Sequence, residues 1–319
     1  MNREPIFIVG IQRSGTTLLS AMLASHSHIS CGPETHFFQR LSRENIDQIT
    51  NPISWPHKAL EFIKSITYTN YNDPKSGRIS IYEKYHLNDE KLLEYLINQK
   101  PGIESILNSI LEPYMGSLRK LRWAEKTPDH IKHVNLIRTY FPKSPIIRII
   151  RDPRDVALSL LNVPWGAKNY YEAIDYCKSL FDQSKDFFDN DNLSYTLRYE
   201  DLVEQPEAEL KKLCDFIDEK FEDSMLDTST SGKQVNSQNV LWKKKVQEPV
   251  DKNRAYNWKN HLDRKSNIYT EAILGDILKQ FDYTTNEYFP YFGKFYPSNS
   301  HLHTYSQKLI MVFENGVRF

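Results

Sequence analysis

The sequence predicts an α/β fold in which a P-loop-like parallel sheet is flanked by helices. Residues 6–10 form a short apolar run, which is followed by a turn between two glycines and by an amphipathic helical pattern. Residues 145–161 repeat this layout of strand, polar turn and helix. Strand-like and helix-like patterns then alternate to about residue 219. Such alternation is typical of a mainly parallel sheet with helices on both faces.

The length of 319 residues allows one large α/β domain with helical insertions, or two domains. We predict a single domain over residues 1–319. Within it, a helical insertion after the first motif is expected at about residues 37–121, and a loop-rich tail at about residues 221–319. No internal repeat or low-complexity linker divides the sequence.

The individual elements follow from apolar periodicity and from residues that start or end helices. Strands are predicted at about residues 5–10, 122–125, 146–150 and 194–198. Helices are predicted at residues 18–25, 59–66, 89–97, 103–114, 129–140, 153–161, 169–188, 205–219 and 268–280.

The turn after the first strand has the spacing of a phosphate-binding loop. Gly10 and Gly15 are placed as in G-x-x-x-x-G-K-[ST], where backbone N–H groups and a helix N-terminus surround an anion. Thr16 stands where that pattern has the lysine that reaches the phosphates of ATP or GTP. The planar guanidinium of Arg13 suits a phosphate or a transferring sulfuryl group instead. The alternative is an ordinary strand-turn-helix whose glycines serve steric needs.

A second arginine is predicted at the carboxyl end of a strand. Asp152 fits the N-cap and Pro153 the first position of the helix that follows the apolar residues 145–150. This places Arg151 where open α/β sheets bind ligands. This position predicts that Arg151 binds a second anionic group of the same ligand. The alternative is that Arg151 forms a structural ion pair.

Charge and cysteine content argue against several classes of protein. The 41 basic and 41 acidic residues give a net charge of zero, so no broad positive field indicates a nucleic-acid partner. The three cysteines are too few and too scattered for a disulfide framework or a metal knuckle. No run approaches the ~18 apolar residues of a membrane span, and a first strand at about Pro5 leaves no room for a signal peptide. We therefore expect a cytoplasmic location.

Together the two motifs resemble those of a known family. The pair G-I-Q-R-S-G-T-T-L and I-R-I-I-R-D-P-R-D-V-A-L-S is similar to that of sulfotransferases that use 3′-phosphoadenosine 5′-phosphosulfate (PAPS). The run from Arg13 to C-G-P-E-T at residues 31–35 most resembles the tyrosylprotein sulfotransferase branch. Related bacterial and carbohydrate sulfotransferases share these features. Because animal tyrosylprotein sulfotransferases carry an N-terminal membrane anchor, we expect a bacterial-type soluble relative.

The resemblance implies a donor, a reaction and a set of binding residues. PAPS would be the donor. The acceptor would be a hydroxyl group of a tyrosine or other phenol, of a carbohydrate or of a small molecule. No metal would be required. The first motif would bind the 5′-phosphosulfate through Arg13, Ser14, Gly15, Thr16 and Thr17. The resemblance further implies that Arg151 and Ser159 bind the 3′-phosphate and that Tyr199 contacts the adenine. A buried core aromatic is the alternative role of Tyr199.

The resemblance also implies which residues carry the chemistry. Glu34 matches the general base, and Arg13 and Lys126 match catalytic cations. His36 is the rival base, because other sulfotransferases use histidine. Without the resemblance, Glu34 could equally cap a helix or pair with Arg40, and Lys126 could be a solvated charge at a strand end.

The sequence indicates less clearly which residues would close over the donor. In the family a loop of the tail lays a serine and a lysine across the donor, and the candidates here are Lys233, Ser237, Lys243, Lys244 and Lys245. The lysine run is also consistent with a solvated face. If residues 247–250 align with the lysine-Pro-Val stretch of the branch, Glu248 replaces the lysine.

Two other functions are alternatives to sulfuryl transfer. A nucleotide kinase-like phosphotransferase would need Mg²⁺ and the loop lysine, which this sequence lacks. A non-catalytic nucleotide-binding module would have lost Glu34 and Lys126, and both are present. The sequence does not indicate an oligomeric state.

Overall fold

A computed structural model describes residues 4–69, 77–236 and 246–285. Ser237, Lys243, Lys244 and Lys245, named above as candidates, lie outside the described residues. The strands are β1 (Ile6–Gly10), β2 (Ile29–Cys31), β3 (Thr67–Thr69), β4 (Arg78–Ser80), β5 (Arg122–Lys126), β6 (Ile146–Ile150) and β7 (Ser194–Arg198).

The helices connect these strands and cover the sheet. They are α1 (Thr16–Ser25), α2 (Arg43–Ile49), α3 (His57–Ser65), α4 (Ile81–Tyr85), α5 (Asp89–Ile97), α6 (Ile103–Ser117), α7 (Val134–Tyr140), α8 (Pro153–Leu160), α9 (Tyr170–Asn190), α10 (Tyr199–Glu204), α11 (Pro206–Phe216), α12 (Ser231–Val235), α13 (Trp258–His261) and α14 (Arg264–Gln280). Short 3₁₀ helices lie at Phe38–Arg40, Pro128–His133, Asp223–Leu226 and Lys252–Arg254. No helix of the described ranges is long and apolar enough to cross a membrane.

The main sheet is parallel and has the strand order β2-β5-β1-β6-β7. β1 is central, and the chain runs from it to β2 at one edge, whereas β6 and β7 lie on its other side. Strand order therefore reverses next to β1. The carboxyl ends of strands at such a switch point form a crevice in which α/β proteins bind ligands.

The sheet is buried on both faces, which explains why β1 is apolar without interruption. Ile6 and Ile8 face a core shared with α1, α10, α11 and α12, while Phe7 and Val9 face a core shared with α6, α8, α9 and α14. All four side chains are fully buried. The predicted fold class, a parallel sheet with helices on both faces, is confirmed.

Several elements agree with the sequence-based prediction to the residue. α5, β6 and β7 have the predicted bounds. α8 begins at Pro153, and the Asp152 carboxylate caps it by accepting a hydrogen bond of 3.0 Å from the Arg154 N–H. These signals are local, so a single sequence carries them.

Other elements were predicted wrongly. The helix expected at residues 129–140 starts as the 3₁₀ helix Pro128–His133 before α7. The helix expected at residues 205–219 is the shorter α11, and α10 ahead of it was missed. The two helices are separated at Gln205, because Pro206 disfavours a helical conformation in the residue before it. β2 and the hairpin of β3 and β4 were missed, since three residues are too few to show a period of two. The division into one domain with an insertion and a tail stays a prediction.

Candidate active site

The turn between β1 and α1 has a backbone that requires glycine at its end. Gly15 caps α1 with φ of 98°, in the left-handed region. A Cβ atom at this position would lie 2.4 Å from Cδ2 of Tyr199. Arg13 also has a positive φ, 74°, which costs a non-glycine residue about 1–2 kcal/mol. Strain of this kind is concentrated at ligand sites.

A cavity of about 550 Å³ opens at the carboxyl ends of the central strands, and we call it the anion cavity. Its lining includes the following residues predicted to bind the donor: Arg13, Gly15, Thr16, Thr17, Arg151, Ser159 and Tyr199. Ser14 is buried, and its Oγ has no hydrogen-bond partner among the described residues. Lys233, a predicted tail candidate, is exposed on α12 and is absent from the lining.

The two sequence motifs meet through their arginines. Arg13 Nε donates a hydrogen bond of 3.1 Å to Ser159 Oγ of α8. Arg151 donates to the carbonyl oxygen of Arg13 at 3.3 Å, and its guanidinium carbon lies 4.7 Å from the centre of the Tyr199 ring. Burial, followed by the charges of Arg151 and Arg254, lowers the pKa of Arg13 to about 10. Three arginines thus lie close together at this cavity, whose lining also includes the carboxylates of Asp155, Glu248 and Asp251.

Arg254 is a member of this cluster that the sequence did not reveal. It ends the 3₁₀ helix Lys252–Arg254 and lines the anion cavity, and its carbonyl oxygen accepts a hydrogen bond of 2.7 Å from Arg151. No motif surrounds this arginine, so only its position in the fold identifies it. Glu248, at the place where the resemblance expects a lysine, also lines the cavity.

The ion-pair role considered for Arg151 is also present. Its guanidinium lies 3.5 Å from Asp155 Oδ2, one turn later on α8. Burial raises the pKa of Asp155 and the charge of Arg151 opposes this effect. The backbone N–H of Trp258 donates to the other carboxylate oxygen at 2.8 Å. Arg151 therefore faces both the cavity and a partner that holds it in place, while its Nε is buried without a partner among the described residues.

Glu34 and Lys126 form an ion pair beside this cavity, and we call them the reaction pair. Lys126 ends β5, and its Nζ lies 2.5 Å from Glu34 Oε1. The lysine side chain is 0% exposed, so the alternative of a solvated charge is wrong. Neither residue lines the anion cavity, but the charge of Glu34 is close enough to raise the pKa of Arg13 against the effect of burial.

His36 lies on the same side of the chain as Glu34. Its backbone has φ of 49°, so the segment turns and brings Nε2 to 3.4 Å from Glu34 Oε2. Nδ1 lies 2.9 Å from Oε1 of Gln39. Each carboxylate oxygen of Glu34 thus has a nitrogen neighbour, Lys126 on one side and His36 on the other.

A cluster of His26, His28 and Glu219 has the composition of a metal site, and its ligand atoms lie within 4.8 Å of one another. His26 Nδ1 accepts a hydrogen bond of 3.0 Å from the N–H of His28, and Nε2 lies 2.9 Å from the carbonyl oxygen of Lys220. Both ring nitrogens therefore have fold-supporting partners. The cluster lies at the amino ends of β2 and β5, away from the anion cavity.

The chain is similar in sequence to proteins of one family and in fold to solved structures. The model of the sulfotransferase family matches residues 5–223. An uncharacterized protein of Aquifex aeolicus (strain VF5) is 24% identical over 274 residues, or 82% of this chain and 31% of that protein. Protein-tyrosine sulfotransferase A of Caenorhabditis elegans is 23% identical over 309 residues, or 91% of this chain and 70% of that protein. The chain thus spans less than a third of the length of the Aquifex protein.

Two solved structures have a similar fold. The sulfotransferase domain from the Synechococcus PCC 7002 olefin synthase has a TM-score of 0.60 at 20% identity, covering 89% of this chain and 97% of that domain. The sulfotransferase domain from the curacin biosynthetic pathway has a TM-score of 0.58 at 20% identity, covering 89% of this chain and 99% of that domain.

Proposed function

Since the chain belongs to the sulfotransferase family, we propose that it transfers a sulfuryl group from PAPS to a hydroxyl acceptor. One observation carries this proposal: the carboxylate of Glu34 lies against the buried ammonium of Lys126 beside a cavity that collects arginines. A base, a buried cation and an anion site are thus adjacent. In-line displacement at sulfur needs these three functions.

The donor is supported by groups that a bisphosphorylated nucleotide would satisfy. Ser14 Oγ and Arg151 Nε are buried without partners among the described residues, and a buried polar atom of this kind is costly unless a ligand binds it. We propose that the turn after β1, with Arg13, holds the 5′-phosphosulfate. Arg151 and Ser159 would hold the 3′-phosphate, and Tyr199 would border the adenine.

In the proposed reaction Glu34 is the general base. It takes the proton of the acceptor hydroxyl as the acceptor oxygen forms a bond to sulfur, and the bond from sulfur to the phosphate oxygen breaks. The products are a sulfate ester and adenosine 3′,5′-bisphosphate. Lys126 and Arg13 stabilise the negative charge that develops on the leaving phosphate oxygen.

The pairing of Glu34 with Lys126 bears on this step. A carboxylate held against an ammonium is a weak base, because the positive charge favours its ionised form. We expect the negative charge of the donor to draw Lys126 toward the leaving oxygen. Glu34 would then be freed to accept a proton only when the donor is bound.

Donor choice can be tested by thermal unfolding. We predict that adenosine 3′,5′-bisphosphate raises the melting temperature, whereas ATP with Mg²⁺ does so much less, because Thr16 replaces the loop lysine. Ligand at about 100 times its Kd adds about 2.7 kcal/mol to the free energy of unfolding. Stabilisation by ATP with Mg²⁺, and none by adenosine 3′,5′-bisphosphate, would overturn the proposal.

The reaction itself is tested with sulfur-labelled PAPS. Purified protein is incubated with phenols, tyrosine-containing peptides and glycans, and label is sought in a sulfate ester. Transfer that is lost on Glu34→Gln supports the proposed base. Transfer that persists in this variant would assign the base to another residue.

A further inference from the structure

Glu125, the residue before Lys126 on β5, is a buried carboxylate that the proposed reaction does not use. It is 2% exposed. Its Oε1 accepts hydrogen bonds from the N–H of Thr35 at 3.3 Å, from Thr35 Oγ1 at 2.7 Å and from Thr127 Oγ1 at 2.6 Å. Its Oε2 lies 2.8 Å from His130 Nδ1. A carboxylate with donors on both oxygens is well satisfied in spite of its burial.

The hydrogen bonds of His130 define which ring nitrogen donates and which accepts. The N–H of Phe38 donates to His130 Nε2 at 3.3 Å, so Nε2 is the acceptor nitrogen of the ring. The proton is then on Nδ1 and is donated to Glu125. His130 is 0% exposed. The pair is therefore an imidazole whose Nδ1–H donates to a carboxylate, inside the protein.

These hydrogen bonds connect the two members of the reaction pair through the residues that directly follow them. Thr35 directly follows Glu34, and Thr127 directly follows Lys126, and both hydroxyls donate to Oε1 of Glu125. The same hydroxyls also accept hydrogen bonds. Thr35 Oγ1 accepts from the N–H of Phe37 and Thr127 Oγ1 from the N–H of His36, each at 3.2 Å.

We propose that Glu125 is a positioning residue that fixes Glu34 relative to Lys126, and that His130 holds Glu125 in the required orientation. This inference rests on the proposed function, because it takes Glu34 and Lys126 as the reacting groups. Burial alone would raise the pKa of Glu125, but His130, Thr127 and Thr35 together hold it below the ordinary value. The carboxylate can therefore only accept hydrogen bonds. The side chains of Thr35, Thr127 and His130 must each donate to it.

The sharpest test removes one hydroxyl without changing side-chain shape. Thr35→Val should lower kcat at least tenfold and leave the Kd for adenosine 3′,5′-bisphosphate unchanged, because small displacements of reacting groups slow a reaction strongly. Thr35→Ser, which retains the hydroxyl, should restore most of kcat. Thr270→Val is the matched control, since Thr270 is equally buried and its hydroxyl bonds to Ser266 and Tyr170 in another part of the fold.

The results separate positioning from a structural role. A purely structural role predicts that Thr35→Val and Thr270→Val lower the melting temperature alike and that neither lowers kcat of the folded protein selectively. That result, or equal losses of kcat in Thr35→Val and Thr35→Ser, would overturn the inference. If wild-type protein transfers no sulfuryl group to any acceptor, the proposed function fails instead.

A spectroscopic measurement tests the network without relying on activity. Nitrogen NMR of imidazole-labelled wild-type protein should show the proton of His130 on Nδ1, with Nε2 as the acceptor nitrogen. Glu125→Gln should shift the Nδ1 proton resonance upfield, because a charged acceptor is replaced by a neutral one. A His130 ring protonated on Nε2 would contradict the proposed arrangement.

Discussion

The anion cavity and the reaction pair lie at the carboxyl ends of adjacent strands but differ in how their polar groups are satisfied. Around the cavity, Ser14 Oγ and Arg151 Nε are buried without partners among the described residues, and three arginines repel one another. Around the reaction pair, Lys126 bonds to Glu34, and the chain beside both residues bonds to Glu125. Under the proposed function a ligand would bind the polar groups of the first region, whereas the second region is held in place by the protein itself.

Two buried glutamates show the same contrast. Burial raises the pKa of Glu200, next to Tyr199, to about 7, because its donors, the N–H of Asp152 and the hydroxyl of Tyr283, do not compensate for lost hydration. The pKa of Glu125 is instead lowered by His130 and by two hydroxyls in spite of burial. Burial by itself therefore does not decide the charge of a carboxyl group; the donors around it do.

The largest expected effect is in the reaction pair. Glu34→Gln keeps the size of the side chain but cannot take a proton, so we expect turnover to fall roughly 10²- to 10⁴-fold with donor affinity near normal. The measurements are kcat for sulfuryl transfer and the Kd for adenosine 3′,5′-bisphosphate. The wild-type rate should also rise with pH along a limb that Glu34→Gln lacks.

His36→Ala is the matched variant, because its ring lies 3.4 Å from the same carboxylate. It should cost much less turnover than Glu34→Gln. An active Glu34→Gln together with an inactive His36→Ala would reverse the assignment and make the chain a histidine-base sulfotransferase. The reaction pair would then be a structural ion pair.

The two arginines of the cavity should separate binding from chemistry. Arg151→Ala should weaken donor binding about 10- to 100-fold and affect kcat less, since a 3′-phosphate is bound similarly in the ground and transition states. Arg13→Ala should lower kcat more than it weakens binding. Calorimetric Kd values and kcat for both variants give the ranking, and the opposite ranking would show that the two anion positions are exchanged.

The smallest expected effect is on stability. Between the ordinary carboxyl pKa of about 4.3 and a folded pKa of about 7, folded Glu200 binds more protons than the unfolded chain does. The free energy of unfolding should therefore fall as the pH rises through this window, on the order of 3 kcal/mol in total. Glu200→Gln should remove that fall. Urea unfolding of the wild-type protein and of Glu200→Gln from pH 4 to pH 8 measures the two free energies of unfolding. Parallel dependences of these free energies on pH would contradict the prediction.

Glu125 should act on stability in the opposite direction. Because its pKa is lowered in the folded state, its stabilising contribution is complete above the ordinary carboxyl pKa and is lost as the pH falls through the folded value. Acid unfolding of the wild-type protein should thus reflect Glu125, and the loss of stability toward neutral pH should reflect Glu200.

The site was only partly predictable from the sequence. The turn of Gly10 to Gly15, the strand ahead of Arg151 and the cap of α8 were predicted, because a turn, a buried strand and a cap each depend on a few consecutive residues. Arg254 was missed, because its approach to the cavity depends on the path of the tail over α10. The predicted roles of Glu34, Lys126 and Arg13 stay predictions until the variants are measured.

By itself the sequence determined the fold class, the phosphate-loop-like turn and two of the three arginines that line the cavity, Arg13 and Arg151. These properties are encoded by apolar periodicity, by glycine at a positive φ and by spacing within one segment. Only the tertiary structure decided that Glu34 meets Lys126, 92 residues away, and that Glu125 is ionised although buried. Both depend on strand order and on which donors surround a buried group, and neither property is contained in any single segment of the chain.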